Sequence, residues 1–228
     1  MQDGPQRQDA ERSSPLDQQN NEIRILILQP GAEADEVYCS LETYQLEHCR
    51  EFEALSYAWG DPKPVEPIFV GESRVLIAHN LSVALRHLRH IHSSRVLWID
   101  AVCINQADVD ERNRQVSVMN RVYSAAKQVL IWLGEARGES DLAMKRIREM
   151  GESQKVTAAE RVILEELVYS CLMDREWWSR LWVVQEVVLS KSSPVIICGH
   201  SFISWDSFHN GFKVGNLTGL PSLQRILE

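Results

Sequence analysis

"RVLWIDAVCINQADVDERNRQVSVMNRVYSAAKQVLIWLG", residues 95 to 134, decides the fold class. It opens and closes on short apolar runs, "RVLWIDAVCI" and "QVLIWLG", rich in β-branched and aromatic residues. Neither run alternates with polar residues, which is how a strand covered on both faces reads. Between them, residues 108 to 126 begin with Asp108, Asp110 and Glu111, acids suited to the positive end of a helix dipole. Val116, Met119, Val122, Tyr123 and Ala126 then recur at helical spacing as the expected buried stripe. Strand, helix, strand in this order is the right-handed crossover of a parallel α/β sheet.

The flanks extend the pattern. Upstream, "IRILIL" (23 to 28) stops at Pro30-Gly31, and "VYCSLETYQL" (37 to 46) alternates like a strand. "FEALSYAWGDPKP" is an apolar run halted at Gly60-Asp61-Pro62, and "PIFVGESRVLIA" reads as a hairpin around Gly71. Asn80 is the expected N-cap of a helix with Leu81, Ala84, Leu85, Leu88 and Ile91 on its apolar face. Downstream, helices are expected near 139 to 150 and 157 to 173, then a further helix over "EWWSRLWVVQE" (176 to 186), the strand "PVIIC" and an amphipathic tail. The expected fold is α/β, a mainly parallel sheet flanked by helices, with "LSYAW", "VLWID" and "VLIWL" as adjacent central strands.

Ligands of such sheets collect beyond the C-terminal strand ends. Those ends carry Trp59-Gly60-Asp61, the stretch from Asp100 through Asn105 and Gln106, and Gly134-Glu135. Each residue alone also reads as a turn or a cap; their gathering at successive strand ends is what makes a shared pocket. In "EWWSRLWVVQE", Trp178, Leu181, Trp182 and Gln185 form one helical stripe, and Glu186 follows Trp182 by four. An acid is thus placed on or beside an apolar face. The residues alone leave two roles open for it: an ion-pair partner of Arg180, or a reactive carboxylate. Cys103 shares the Asp100 loop, but no histidine is placed by sequence to activate it. His87 and His90, in "RHLRHIHSSR" (86 to 95), lack nearby acidic or cysteine ligands, so the stretch reads as a solvated helix face and no metal site is expected.

Composition narrows the classes. The chain has 228 residues, 44% of them hydrophobic and 25% charged, as in ordinary globular proteins, and its size allows one substantial core. A net charge of −8 argues against a duplex-binding face, so no nucleic-acid partner is expected. No apolar run is long enough to cross a bilayer. Five cysteines without a CxxC pair fit a reduced, intracellular compartment. Residues 1 to 21 are polar and lack a signal peptide's apolar core, which predicts a disordered leader before a domain over 22 to 228.

"ALSYAWGD", the long stretch from Leu97 to Gly134, and "WWSRLWVVQE" resemble, in order, the three signature blocks of the fungal HET (heterokaryon incompatibility) domain. The resemblance covers roughly residues 52 to 190 and implies an effector of cell death, often part of a larger immune-receptor-like protein. No GxxxxGK[ST] phosphate loop occurs, so the expectation is a domain excised from such a protein or one working in another context. HET domains in turn resemble TIR domains, a flavodoxin-like α/β fold, some of which cleave NAD with a glutamate four residues after a tryptophan. Trp182 and Glu186 have that spacing, although the stretch from Gly134 to Trp177 is longer than in TIR domains. The resemblance therefore implies a flavodoxin-like/TIR-like fold with inserted helices and an added N-terminal β region. It implies Glu186 as catalytic residue, with Trp59, Gly60, Asp61, Asp100, Asn105, Gln106 and Trp182 around the substrate. NAD would be that substrate and no cofactor is implied. The implied setting is cytoplasmic, with self-association and an NLR-type receptor as partner or fused domain. The alternative from a different class is a non-catalytic oligomerisation module that recruits partners.

Overall fold

The computed structural model describes residues 15–17, 20–61, 63–153, 157–180 and 183–215. They fall into two compact units, the first up to Leu55 plus Trp59–Lys127, the second Ser56–Ala58 plus the residues from Gln128 onward.

The first unit is built on β1 (Glu22–Leu28), β2 (Tyr38–Gln45), the start of β3 (Glu53–Tyr57), β4 (Pro64–Val70), β5 (Ser73–Ala78) and β6 (Arg95–Trp98), in the order β5-β4-β2-β1-β6-β3. β1 is buried almost throughout, including Arg24, whose charge is met by Glu111. It runs antiparallel to both neighbours, with Leu26 opposite Leu41 of β2 and Leu97 of β6. β2 and β4 are parallel, as are β3 and β6, where Ala54 faces Trp98. β4 and β5 form the expected hairpin, closed at Gly71 with φ +57°, a conformation that favours glycine.

The sheet is therefore mixed, where the sequence led us to expect a mainly parallel one. Two features cause the difference. The N-terminal strand enters antiparallel beside β6, and short glycine turns return β5 and, in the second unit, β9 along their neighbours. The short loops leave no room for the crossover that a parallel pairing needs.

Helix α1 (His79–Leu88) buries Leu81, Ala84, Leu85 and Leu88. It starts one residue before Asn80, because β5 runs straight into it, so Asn80 lies in the first turn and Ala78 is the cap. Ile91 is beyond the helix and exposed. The "RHLRHIHSSR" stretch is not a solvated face. Arg89 is buried and donates to the carbonyls of Ala32, Asp35 and Glu36, Arg86 donates to those of Glu33 and Asp35, and Arg95 pairs with Glu53 at 2.5 Å. The loop between β1 and β2 leaves these carbonyls without strand partners, and the arginines satisfy them.

After the single turn α2 (Asp100–Cys103), α3 (Val109–Ala125) is capped by Asp108, whose Oδ1 accepts from the backbone N–H of Asp110 and Glu111 at 3.0 Å. Its buried face is Glu111, Gln115, Val122 and Tyr123, with Ala126 just beyond the helix, while Val116 is 41% exposed. The stripe is rotated from the expected one because Arg24 on β1 draws Glu111 inward, with the two side chains 2.5 Å apart.

In the second unit the end of β3 is followed by β7 (Gln128–Trp132), β8 (Val195–Cys198) and β9 (Ser201–Ser204). β7 and β8 are parallel, and β8 turns at Gly199 (φ +55°) into antiparallel β9. The expected helices appear as α4 (Ser140–Ser153) and α5 (Ala158–Val168), the latter running into a π turn, Tyr169–Met173. The stretch 176–186 is not the single helix its spacing predicts. A 3-10 turn, Glu176–Ser179, ends at Arg180, which is extended (φ −74°, ψ 138°), and α6 begins at Val183 and runs to Val188. Helix α7 (Trp205–Gly215) packs Phe208 on Trp178 in a stacked pair 5.7 Å apart. Of the leader expected to reach residue 21, residues 1–14, 18 and 19 lie outside the described residues, and Leu16 is buried.

Candidate functional site

β3 carries one polar residue into its buried end, Ser56, with no exposed surface. Its hydroxyl accepts from Trp177 Nε1 at 2.7 Å and from Arg180 at 3.1 Å, and donates to Glu186 Oε2. Glu186, on α6, is 1% exposed. Arg180 grips it with both arms, NH1 to Oε2 at 3.1 Å and NH2 to Oε1 at 3.0 Å. All four residues belong to the second unit. A carboxylate this deep requires compensation on both oxygens, and here a hydroxyl and a guanidinium supply it. The break in the helix at Arg180 is what lets that side chain turn back toward Glu186.

The end of β7 is closed by a second arginine. Arg175 donates to the carbonyls of Cys171, Leu133 and Glu135 and lies 3.5 Å from Cys198 Sγ. Burial pushes the Arg175 guanidinium pKa below its ordinary value and the Cys198 thiol above its own. The Gly134-Glu135 strand end is thus occupied by the protein's own side chain.

In the first unit, Trp59 is 40% exposed and donates its indole N–H to Asp100 Oδ2 at 3.1 Å. The other Asp100 oxygen accepts from the Ala101 N–H, and Gln106 reaches back to the Asp100 carbonyl at 2.9 Å. Asn105 accepts from the Ala107 N–H, and its own N–H donates to Glu111 at 2.8 Å. Asp61 accepts from Lys63 in a turn that Gly60 opens with φ +63°. Each of these residues forms a local turn or cap, and Trp59 and Asp100 also join two strand ends. Glu111 holds the loop from below, bonded to Arg24 as well as to Asn105, while Arg24 also donates to the Cys103 carbonyl. Cys103 is itself buried, its sulfur accepting from the Ile99 N–H at 3.4 Å.

The structure thus brings together Trp59, Asp100 and Gln106 in the first unit and holds Glu186 in the second; Trp182 lies outside the described residues. Two members of the Glu186 cluster, Ser56 and Trp177, escaped the sequence reading. A signal for Ser56 existed: it is a polar residue inside the apolar run "ALSYAW", and a buried hydroxyl needs a partner.

A mixed α/β chain with a buried, fully hydrogen-bonded carboxylate just past its last tryptophan-rich turn is the class of protein the geometry defines. The heterokaryon incompatibility protein (HET) family model matches residues 52–186, more than half of the chain and including both Ser56 and Glu186. The chain belongs to the HET family. It is 30% identical over 240 residues to heterokaryon incompatibility protein 6, OR allele, of Neurospora crassa, a match covering 84% of this chain. The match takes in 35% of that relative, so the chain spans about a third of its length. No solved structure matches. No helix among the described residues is long and apolar enough to cross a membrane.

Proposed function

We propose that the domain is a cell-death effector of heterokaryon incompatibility that acts by cleaving NAD at the nicotinamide–ribose bond, with Glu186 as the reacting carboxylate. The observation that carries this reading is the environment of Glu186, a buried acid whose orientation is set by Ser56, itself anchored by Trp177. The fit of Trp182 and Glu186 to the TIR spacing supplies the substrate class.

The chemistry asks for one acid. The C1′–N bond breaks with its electron pair going to the pyridinium nitrogen, so nicotinamide leaves neutral and needs no proton. Positive charge moves to the ribose as an oxocarbenium-like centre, water adds at C1′, and a proton is released. A carboxylate held in a water-poor site stabilises that centre by charge and by hydrogen bonds to the ribose hydroxyls. Self-association, with an NLR-type receptor or fused receptor domain as the trigger, completes this reading.

Expression in fungal cells tests it. Wild-type protein should deplete NAD before death, and Glu186→Gln at equal abundance should do neither. One observation favours a second reading, in which the domain is a non-catalytic assembly module: Glu186 is already paired through both oxygens. That reading predicts death without NAD loss.

A further inference from the structure

β5 stands at one end of the strand order, so one of its two edges has no neighbouring strand. The ladder fixes which groups that edge presents. On β4, the Phe69 and Gly71 N–H groups donate toward β2, to the carbonyls of Val37 and Cys39. β4 therefore turns its Ile68 and Val70 groups toward β5, where Val75 and Ser73 stand opposite. Arg74 and Leu76 aim their N–H and C=O outward, and among the described residues nothing bonds to them there. Edges are ordinarily guarded by proline, charge, shortness or a cover. The edge strand β9 of the second unit has two of these guards: it is four residues long, and Arg148 donates to its Phe202 carbonyl. β5 has six residues, no proline, and Arg74 as its one charge. Its outer side chains are apolar as well. Leu76 is 45% exposed opposite Pro67, and on the same face Tyr38 is 47% exposed and stacks on Phe69 at 4.8 Å.

We propose that β5 is the edge through which the domain self-associates: two copies pair their β5 strands antiparallel, Leu76 against Leu76, into one continuous sheet. This gives a surface to the self-association in the proposed function and rests on that part of it. A row of outward backbone groups is completed by an extended strand, and a second copy supplies one that fits. A two-fold axis perpendicular to the sheet brings the same outward groups of both strands face to face. Centring the axis on Leu76 sets apolar on apolar and each Arg74 across from the other copy's Ala78, so the strand's one charge never faces its like. Centring it on Arg74 would oppose two arginines. The pairing is short, a few ladder bonds and one leucine contact. It is therefore weak in dilute solution and forms where copies are concentrated.

Sedimentation of the full chain over a concentration series tests it, and should show a reversible doubling of mass. Leu76→Pro removes an outward N–H, which an edge strand tolerates, and each dimer then loses two donors. Association should weaken at least about tenfold, with Tm little changed. Val75→Pro removes an N–H that faces β4 and should lower Tm instead. Leu76→Lys sets like charges across the axis without touching the β4 ladder; it should weaken association as well, and it decides the matter if the proline variant does not fold. A chain that stays monomeric at every concentration overturns the edge, as does a dimer that the folded Leu76 variants leave intact. Arg74 and Leu76 amides protected from hydrogen exchange in the dilute monomer would mean that the chain covers the edge itself, and would overturn it too. A dimer lost in the Leu76 variants, with wild type that leaves NAD intact when clustered, keeps the edge and rejects the cleavage reading. Monomeric wild type that cleaves NAD once clustered on a scaffold rejects the edge and keeps the reaction.

Discussion

At the scale of single residues, the chain's two buried glutamates among those described are each committed to an arginine, and the pairs differ in what lies behind them. Glu111 joins Arg24 to the Asn105 N–H, with Arg24 only 1% exposed. Removing one member of such a pair leaves the other charged and buried, so Glu111→Gln should cost about 3–5 kcal/mol of stability, read by urea denaturation. An unchanged midpoint would mean that Arg24 finds another partner. Surface pairs such as Lys127 with Glu51 are open to water and should contribute little. Cysteine chemistry follows burial in the same way. Burial pushes the Cys49 thiol up to about 11, so about a thousandth of it is thiolate at pH 8. Iodoacetamide should modify it far more slowly than free glutathione at that pH, with mass spectrometry as the readout; comparable rates would contradict the assignment.

At the scale of elements, α4 and α7 touch through glycines. A Cβ added at Gly211 would lie 2.2 Å from the Ile147 carbonyl oxygen, and one at Gly151 2.5 Å from that of Ser207. Backbone atoms cannot yield as side-chain tips do, so Gly211→Ala should separate the helices and destabilise the protein by at least about 1–3 kcal/mol, seen as a lower Tm. A helix-favouring gain in Tm would show that the contact is looser. The same helix carries a pH response. Burial, then the charge of Lys213, lowers the His209 pKa below its ordinary 6.5. The unfolded chain therefore binds the proton more readily than the folded one. The contribution is fully present above about pH 6.5 and is lost as pH falls through the lowered folded value. Tm should drop between pH 7.5 and 5, and His209→Gln should shrink that drop; an equal drop in both proteins would remove His209 from the account. These helices also show where sequence reading succeeds and where it stops. α3 was legible because its acidic first turn is a local signal. The break at Arg180 was not, because it depends on a partner on β3, 124 positions away in the chain.

For the whole molecule, the α/β class, the strands β1, β4, β5 and β6 and the β4–β5 hairpin were readable from runs and turns, whereas the direction of β1 was not. Direction depends on which edge a chain enters, and β1 beside β6 is a pairing between segments about seventy residues apart. The candidate site was legible in the same uneven way. Glu186 and Asp100 announced themselves as acids at apolar boundaries and Ser56 as a polar residue inside an apolar run, while Trp177 acquired meaning only when folding set it against Ser56. The chain belongs to the HET family, and the central proposal is that Glu186 does chemistry in it. The most direct measurement is nicotinamide release from NAD by purified protein clustered on a multimeric scaffold, wild type beside Glu186→Gln. The account predicts release by wild type and a loss of at least about a hundredfold in the variant, the scale of removing one preorganised electrostatic contact, with the fold retained by circular dichroism. Clustered, folded wild type that leaves NAD intact, or a Glu186→Gln protein that cleaves it equally fast, would contradict it.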